Sequence, residues 1–182
     1  MPSRDLLQRL QEMPVSLDPI ELFNTLQDRY RWPIAYLDGQ PTIEVILPSG
    51  NKDRSLFASD GYVIPDVVTD AYNRGYTLIF SRCEWINASV SEFTKALIKT
   101  GITDTEPSAN IYIGMGKASI SFPPHSHEYD VLVKSVEGVS TWVVSNEQFE
   151  VASQQVIWIP AWSDHAVVDI DVPKLSLTYS LL

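Results

Sequence analysis

The chain contains three histidines, and their placement constrains the fold more than any other feature. His125 and His127 stand two apart in Phe122-Pro-Pro-His-Ser-His-Glu-Tyr-Asp130, and His165 follows 38 residues after His127 in Ile159-Pro-Ala-Trp-Ser-Asp-His165. In a β-like segment residues i and i+2 leave the same face, so the first two imidazoles are expected side by side on one strand. The third is expected on a distant antiparallel strand, after a proline-bounded turn. Two ligands from one strand and one from another make a β-barrel metal site. Imidazole suits Fe, Zn, Cu and Ni, and three protein ligands leave a position open for water or substrate. Pro123-Pro124 fixes the approach to His125 and removes two backbone donors, a rigid entry that suits a placed ligand. Asp130, three residues past His127, falls on the opposite face of a regular strand. That parity suits a residue orienting a ligand imidazole more than a fourth ligand. Glu128 shares the parity but sits closer, and stays open as an added carboxylate ligand.

The rest of the chain divides by texture. Leu6, Leu7 and Leu10 recur at helical spacing behind a Ser3 N-cap, and Asp18-Pro19 opens a second helix carrying Ile20, Leu22, Phe23 and Leu26. Short strands are expected at Ile34–Leu37 and Thr42–Leu47, a helix from Ile64-Pro65 to Arg74, and a strand at Tyr76–Phe80. Ser89 or Ser91 is expected to cap a helix bearing Phe93, Ala96, Leu97 and Ile98. From residue 109 onward β-rich runs alternate with turns: Asn110–Ile113, Ser119–Phe122, Tyr129–Val136, Ser140–Val144, Gln155–Ile159, His165–Ile170 and Leu175–Leu181. Strands so spaced, with no helix between them, indicate a sandwich or barrel. No repeat or linker splits the chain, so one domain of 1–182 is expected, with helical and mixed elements in 1–63 packed on a barrel formed mainly by 76–182.

Composition narrows the partners. The 182 residues carry 13 Lys+Arg against 23 Asp+Glu, a net charge of −10 with a pI near 4.6, which argues against nucleic acid and anionic membrane surfaces. Cys83 is the one cysteine, so no intrachain disulfide forms, and its strand-like surroundings predict a buried, inert thiol. No apolar run approaches the ~20 residues that cross a bilayer, and the N-terminus has no apolar signal core. A soluble cytoplasmic setting is the expectation.

The stretch Pro124-His-Ser-His-Glu-Tyr-Asp-Val-Leu-Val-Lys-Ser-Val-Glu-Gly-Val-Ser-Thr-Trp142 resembles the barrel signature of JmjC-type, cupin-like oxygenases, the group that includes bacterial ribosomal-protein hydroxylases. Ile159-Pro-Ala-Trp-Ser-Asp-His-Ala-Val167 resembles that family's Ile-Pro-x-Gly-x-x-His-x-Val. Gly75-Tyr-Thr-Leu-Ile-Phe80 and Asn110-Ile-Tyr112 extend the likeness to about residues 64–182. The resemblance implies a mainly β chain with N-terminal helices and a double-stranded β-helix (jelly-roll) barrel. It also implies Fe(II), with 2-oxoglutarate and O2 as cosubstrates. Two departures stand out. His127 occupies the slot of a metal-binding Asp, which gives a three-histidine site. Ser140 occupies the slot of the Lys or Arg that pairs with 2-oxoglutarate, and loses roughly 1–2 kcal/mol or more of anchoring. Lys134 is a substitute anchor from the same region, and Tyr112 could offer a hydroxyl to an organic acid.

Three functions follow. The first is an Fe(II) oxygenase with His125, His127 and His165 on the metal and Asp130, Glu128 or Tyr112 assisting. The second is a non-oxidative lyase, isomerase or hydrolase using Zn, Mn or Ni. The third is a non-catalytic barrel that binds a small molecule or a protein partner, with Trp142, Trp158 and Trp162 near the motif. A small-molecule substrate is expected, because the chain stops at its last barrel strand. Such barrels often pair through their N-terminal elements, which leaves room for a homodimer.

Overall fold

Period-two alternation along the last strand sets the layout. Lys174–Leu181 turns Leu175, Leu177, Tyr179 and Leu181 toward the main apolar core, and Lys174, Ser176 and Thr178 toward the opposite face. A strand buried on both sides in this way needs cover on one face and a barrel interior on the other. The computed structural model of the protein describes residues 2–22, 43–53, 64–114, 122–170 and 173–182. In chain order the described elements are α1 (Arg4–Glu12), β1 (Ile43–Ile46), β2 (Lys52–Asp53), α2 (Pro65–Asn73), β3 (Thr77–Phe80), α3 (Ala88–Lys99), β4 (Ser108–Gly114), β5 (Asp130–Glu137), β6 (Ser140–Val144), β7 (Glu147–Val151), β8 (Val156–Ile159), β9 (His165–Ile170) and β10 (Lys174–Leu181).

The strands form a seven-stranded antiparallel sheet, β2-β1-β3-β4-β10-β5-β8, and a three-stranded one, β7-β6-β9. From β4 on, the chain passes back and forth between the two, and an isolated bridge ties His125 to His165 at the open side of β9. This interleaving is a double-stranded β-helix, the mainly β architecture with N-terminal helices that the sequence leads one to expect. Gly138 makes the tight β5–β6 turn with φ of 81°, and a Cβ there would run into the Pro173 carbonyl, so no other residue fits.

Local expectations met the structure unevenly. α1 begins at the Ser3 cap, whose hydroxyl accepts from the Leu6 N–H at 3.2 Å. Residues 19–22 are helical behind Asp18, which accepts from the Ile20 N–H at 2.8 Å. The remainder of that helix, the strand at 34–37 and most of that at 119–122 lie outside the described residues. The cap of α3 is Asn87, accepting from the Val90 N–H at 2.9 Å, and not Ser89 or Ser91; the Ser89 hydroxyl donates instead to the Ser16 carbonyl at 2.7 Å. β7 was not expected. It follows a two-residue turn in which Ser145 and Asn146 have φ of 48° and 71°, the left-handed pair that suits a tight hairpin. Its first four residues are exposed, so no apolar alternation announces it.

Lys134, a proposed cosubstrate anchor, faces away from the barrel interior. Its side chain is fully buried and its Nζ donates to the carbonyls of Gln154 at 2.7 Å, Gln11 at 3.0 Å and Leu10 at 3.5 Å. The C-terminal carbonyls of a helix lack intrahelical partners, so this ammonium satisfies the end of α1 and fastens it to the barrel. Burial pushes its pKa down to about 8, and three carbonyl acceptors favour the charged form. Lys134→Met should leave metal binding intact but orphan these carbonyls, costing about 1–3 kcal/mol. Thermal denaturation should register a fall of roughly 2–4 °C per kcal/mol for a chain of this size.

Candidate metal centre

Pro123-Pro124 delivers His125 to the mouth of the barrel, where its backbone pairs with His165 in both directions: His165 N–H to His125 O at 2.8 Å and His125 N–H to His165 O at 3.2 Å. His127 follows in irregular extended chain, so the two residues belong to a bridged loop and not to the regular strand expected. The outcome for the side chains is still convergence. Ring centres are 4.5 Å apart for His125 and His165, 5.0 Å for His125 and His127, and 5.2 Å for His127 and His165. One ring nitrogen from each lies within 4.8 Å of the others. Such a triad could hold a metal ion.

The chemistry of the donors fits that reading. His125 Nδ1 lies 2.9 Å from the Pro123 carbonyl and His165 Nδ1 lies 3.0 Å from the Ser163 carbonyl. A carbonyl only accepts, so in each ring Nδ1 carries the proton and Nε2 keeps its lone pair. The two rings are thus held by the same device, the carbonyl two residues earlier. His127 stacks on Tyr129 with ring centres 5.0 Å apart and planes 7° from parallel. Burial lowers the pKa of His127, with repulsion from His125 and His165 adding to it. Burial also lowers that of His165, partly offset by its bond to the Ser163 carbonyl. Both rings therefore stay neutral, and able to bind a cation, to lower pH than an ordinary histidine of pKa ~6.5.

Asp130 acts on the turn before His165. Its carboxylate accepts from the Ala161 N–H at 2.7 Å, and the His127 carbonyl accepts from the Trp162 N–H at 2.7 Å. Together they pin the turn that presents the third imidazole. The Asp130 contact is with backbone and not with a histidine ring, because backbone carbonyls already orient His125 and His165. Trp162 holds φ of 64° with its side chain 73% exposed, where the resembling motif has glycine. Glu128 is exposed and stands outside both the histidine group and the cavity behind it.

Behind the triad the barrel holds a partly open cavity of about 60 Å³, and in front lies a wider cleft of about 420 Å³. Tyr112, Phe122, His125 and His127 border both. The inner walls are largely apolar, from Val131, Val133, Ile159, Ile170 and Trp142, while Thr77, Tyr112, Lys174, Ser176 and Thr178 form a polar wall. Burial raises the Tyr112 pKa, so its phenol keeps its proton. Ser140 does not reach the cavity; its hydroxyl accepts from the Trp142 indole N–H at 3.0 Å. Trp158 packs on the helical side of the large sheet. The residue that sequence reasoning missed is Lys174, 6% exposed and lining the cavity, with Nζ 4.9 Å from the centre of the Trp142 ring. The signal existed: Lys174 continues the polar register of Ser176 and Thr178, but the strand was begun one residue late.

No family model and no curated protein matches the sequence. Among solved structures, similar chains include a cupin superfamily protein from Desulfitobacterium hafniense, 14% identical over 42% of this chain and 67% of that one, with a TM-score of 0.38. A conserved Streptococcus pyogenes protein of unknown function is 20% identical over 42% of this chain and 65% of its own, with a TM-score of 0.38. A DMSP lyase is 18% identical over 43% of this chain and 40% of its own, with a TM-score of 0.39. Less than half of this chain is covered in each. Among the described residues no helix is long and apolar enough to cross a membrane.

Asp130→Ala should loosen the turn before His165 and lower metal affinity by roughly ten- to a hundredfold without unfolding the barrel. Equilibrium dialysis against a divalent metal measures this directly. Uptake by the unmodified protein, followed from about pH 8 to about pH 5, should hold to lower pH than for exposed histidines.

Proposed function

We propose that the protein is a metal-dependent oxygenase for a small organic molecule, with Fe(II) held by His125, His127 and His165. The observation that carries this reading is a triad of converging imidazoles bordering a mostly apolar cavity and a wider open cleft. Iron held there would supply open coordination positions at which O2 and substrate meet. The chain's own residues would do the rest. Val131, Val133, Ile159 and Ile170 exclude water and admit an apolar gas, which protects reactive species from side reactions. The protonated phenol of Tyr112 can donate one hydrogen bond to a substrate oxygen. Asp130 holds the turn that aims His165. Use of 2-oxoglutarate would need an anchor other than Ser140, which does not line the cavity and accepts from the Trp142 indole N–H.

One feature favours a second reading. With no carboxylate in the ligating group among the described residues, a bound Zn, Mn or Ni would keep its full positive charge and act as a strong Lewis acid for a lyase or isomerase. Nitric oxide separates the two without knowledge of the substrate, since it occupies the position O2 would use. Added anaerobically to the Fe(II) protein, it should give the high-spin iron–nitrosyl EPR signal, lost in His125→Ala. Purified protein that holds zinc or manganese, takes up no iron and gives no nitrosyl would select the Lewis-acid reading. Protein that binds no metal at all would select the non-catalytic one.

A further inference from the structure

We infer that the polar wall of the inner cavity, formed by Lys174 and Thr77 on either side of Gly114, is a carboxylate-binding subsite, so that the substrate is a small organic acid. The inference rests on the reading of this cavity as the substrate site. It concerns the end of the cavity where the chain places a cation, and not the histidines themselves.

The two buried lysines of the barrel have opposite surroundings. Lys134 spends its ammonium on three backbone carbonyls. Lys174, 6% exposed, lines the cavity and has no hydrogen bond or ion pair to a described residue; its Nζ lies over the face of Trp142. A buried ammonium without an anion or acceptors is costly, and proteins rarely keep one without a use. Burial lowers its pKa to about 7, so an arriving anion would restore its charge and gain from doing so.

An unpartnered hydroxyl stands close by in the sheet. Thr77 Oγ1 is buried with no hydrogen-bond partner among the described residues, and Thr77 too lines the cavity. Register brings the two together. Lys174 pairs with Gly114, and the β3–β4 ladder pairs Leu78 with Ile113, so Thr77 stands at the next step, beside Gly114. Across three neighbouring strands the row therefore reads Thr77, Gly114, Lys174. The central position carries no side chain, which leaves space above the sheet between a hydroxyl and an ammonium. In the adjoining row Tyr112 pairs with Ser176, adding two more hydroxyls on the same wall. One cation with neutral donors suits a single carboxylate, which needs one charge and accepts several hydrogen bonds. The cavity of about 60 Å³ limits the part held here to a few atoms. Trp142 spans the two ends, with Lys174 Nζ 4.9 Å and the His165 ring 6.5 Å from its centre, so a short acid anchored at Lys174 points its other end toward the histidines.

The test is calorimetric titration of acetate, malonate, succinate and inorganic phosphate into the metal-loaded protein and its Lys174→Met, Lys174→Arg and Thr77→Val variants. Circular dichroism and elemental analysis accompany each, for fold and metal content. At least one carboxylate should bind the unmodified protein. Its affinity should fall by about tenfold or more in Lys174→Met, by less in Lys174→Arg, and measurably in Thr77→Val, with metal content unchanged. Equal carboxylate binding in a folded, metal-loaded Lys174→Met would overturn the inference, as would preference for phosphate or the absence of any carboxylate binding. If the unmodified protein takes up no metal, the metalloenzyme reading fails separately. The same titrations on the metal-free protein then still measure the dependence on Lys174.

Discussion

Everything at the mouth of this barrel depends on one pair of backbone hydrogen bonds, those exchanged by His125 and His165. They join an irregular loop to the start of β9 and bring together histidines far apart in the chain. Around them the supporting bonds come almost entirely from the main chain. The Pro123 and Ser163 carbonyls orient the His125 and His165 rings, and the His127 carbonyl and Asp130 carboxylate hold the turn that leads to His165. The ligand geometry is therefore a property of how two segments meet. A change in either segment would be felt by all three imidazoles.

The barrel behind the triad is built from strands with two different faces. Along β10 the apolar face seals the helical side, and the polar face is turned inward, where a soluble domain would ordinarily place aliphatic side chains. Enclosing Lys174, Ser176, Thr178 and Tyr112 sacrifices stability, since each polar group leaves water. The same wall then supplies donors and charge to a small cavity with mostly apolar walls, where such groups act more strongly than in bulk water. Lys134 marks the contrast. It is the same residue type, buried one strand away, but turned outward to close the end of α1.

The histidine cluster and the barrel were legible in the sequence because both follow from period-two spacing and from motifs with a mechanical reason. His125, His127 and His165 were found from their spacing and β context, although the first two converge from a bridged loop and not from the regular strand that parity assumed. The cap of α3 was misplaced because Asn87, Ser89 and Ser91 all offer side-chain oxygens, and Asn87 caps the helix while both Asn87 and Ser89 also donate to the Ser16 carbonyl. β7 escaped because an exposed strand of Glu, Gln and Phe carries no core pattern. Lys134 and Lys174 were the least legible. Their roles depend on which side of the sheet is covered by helices, a tertiary fact that no local window contains. Asp130 was read as a helper of the site from its position, but whether it meets an imidazole or the turn depends on which donor lies unsatisfied nearby.

The most direct test of the account is X-ray absorption spectroscopy of the metal-loaded protein, which counts the imidazoles around the ion. The account predicts three histidine nitrogens with open positions completed by water, and a shell reduced by one imidazole or lost altogether in His127→Ala. A shell with at most one imidazole, or one unchanged in that variant, would show that the ion binds elsewhere and that the triad is not a metal centre.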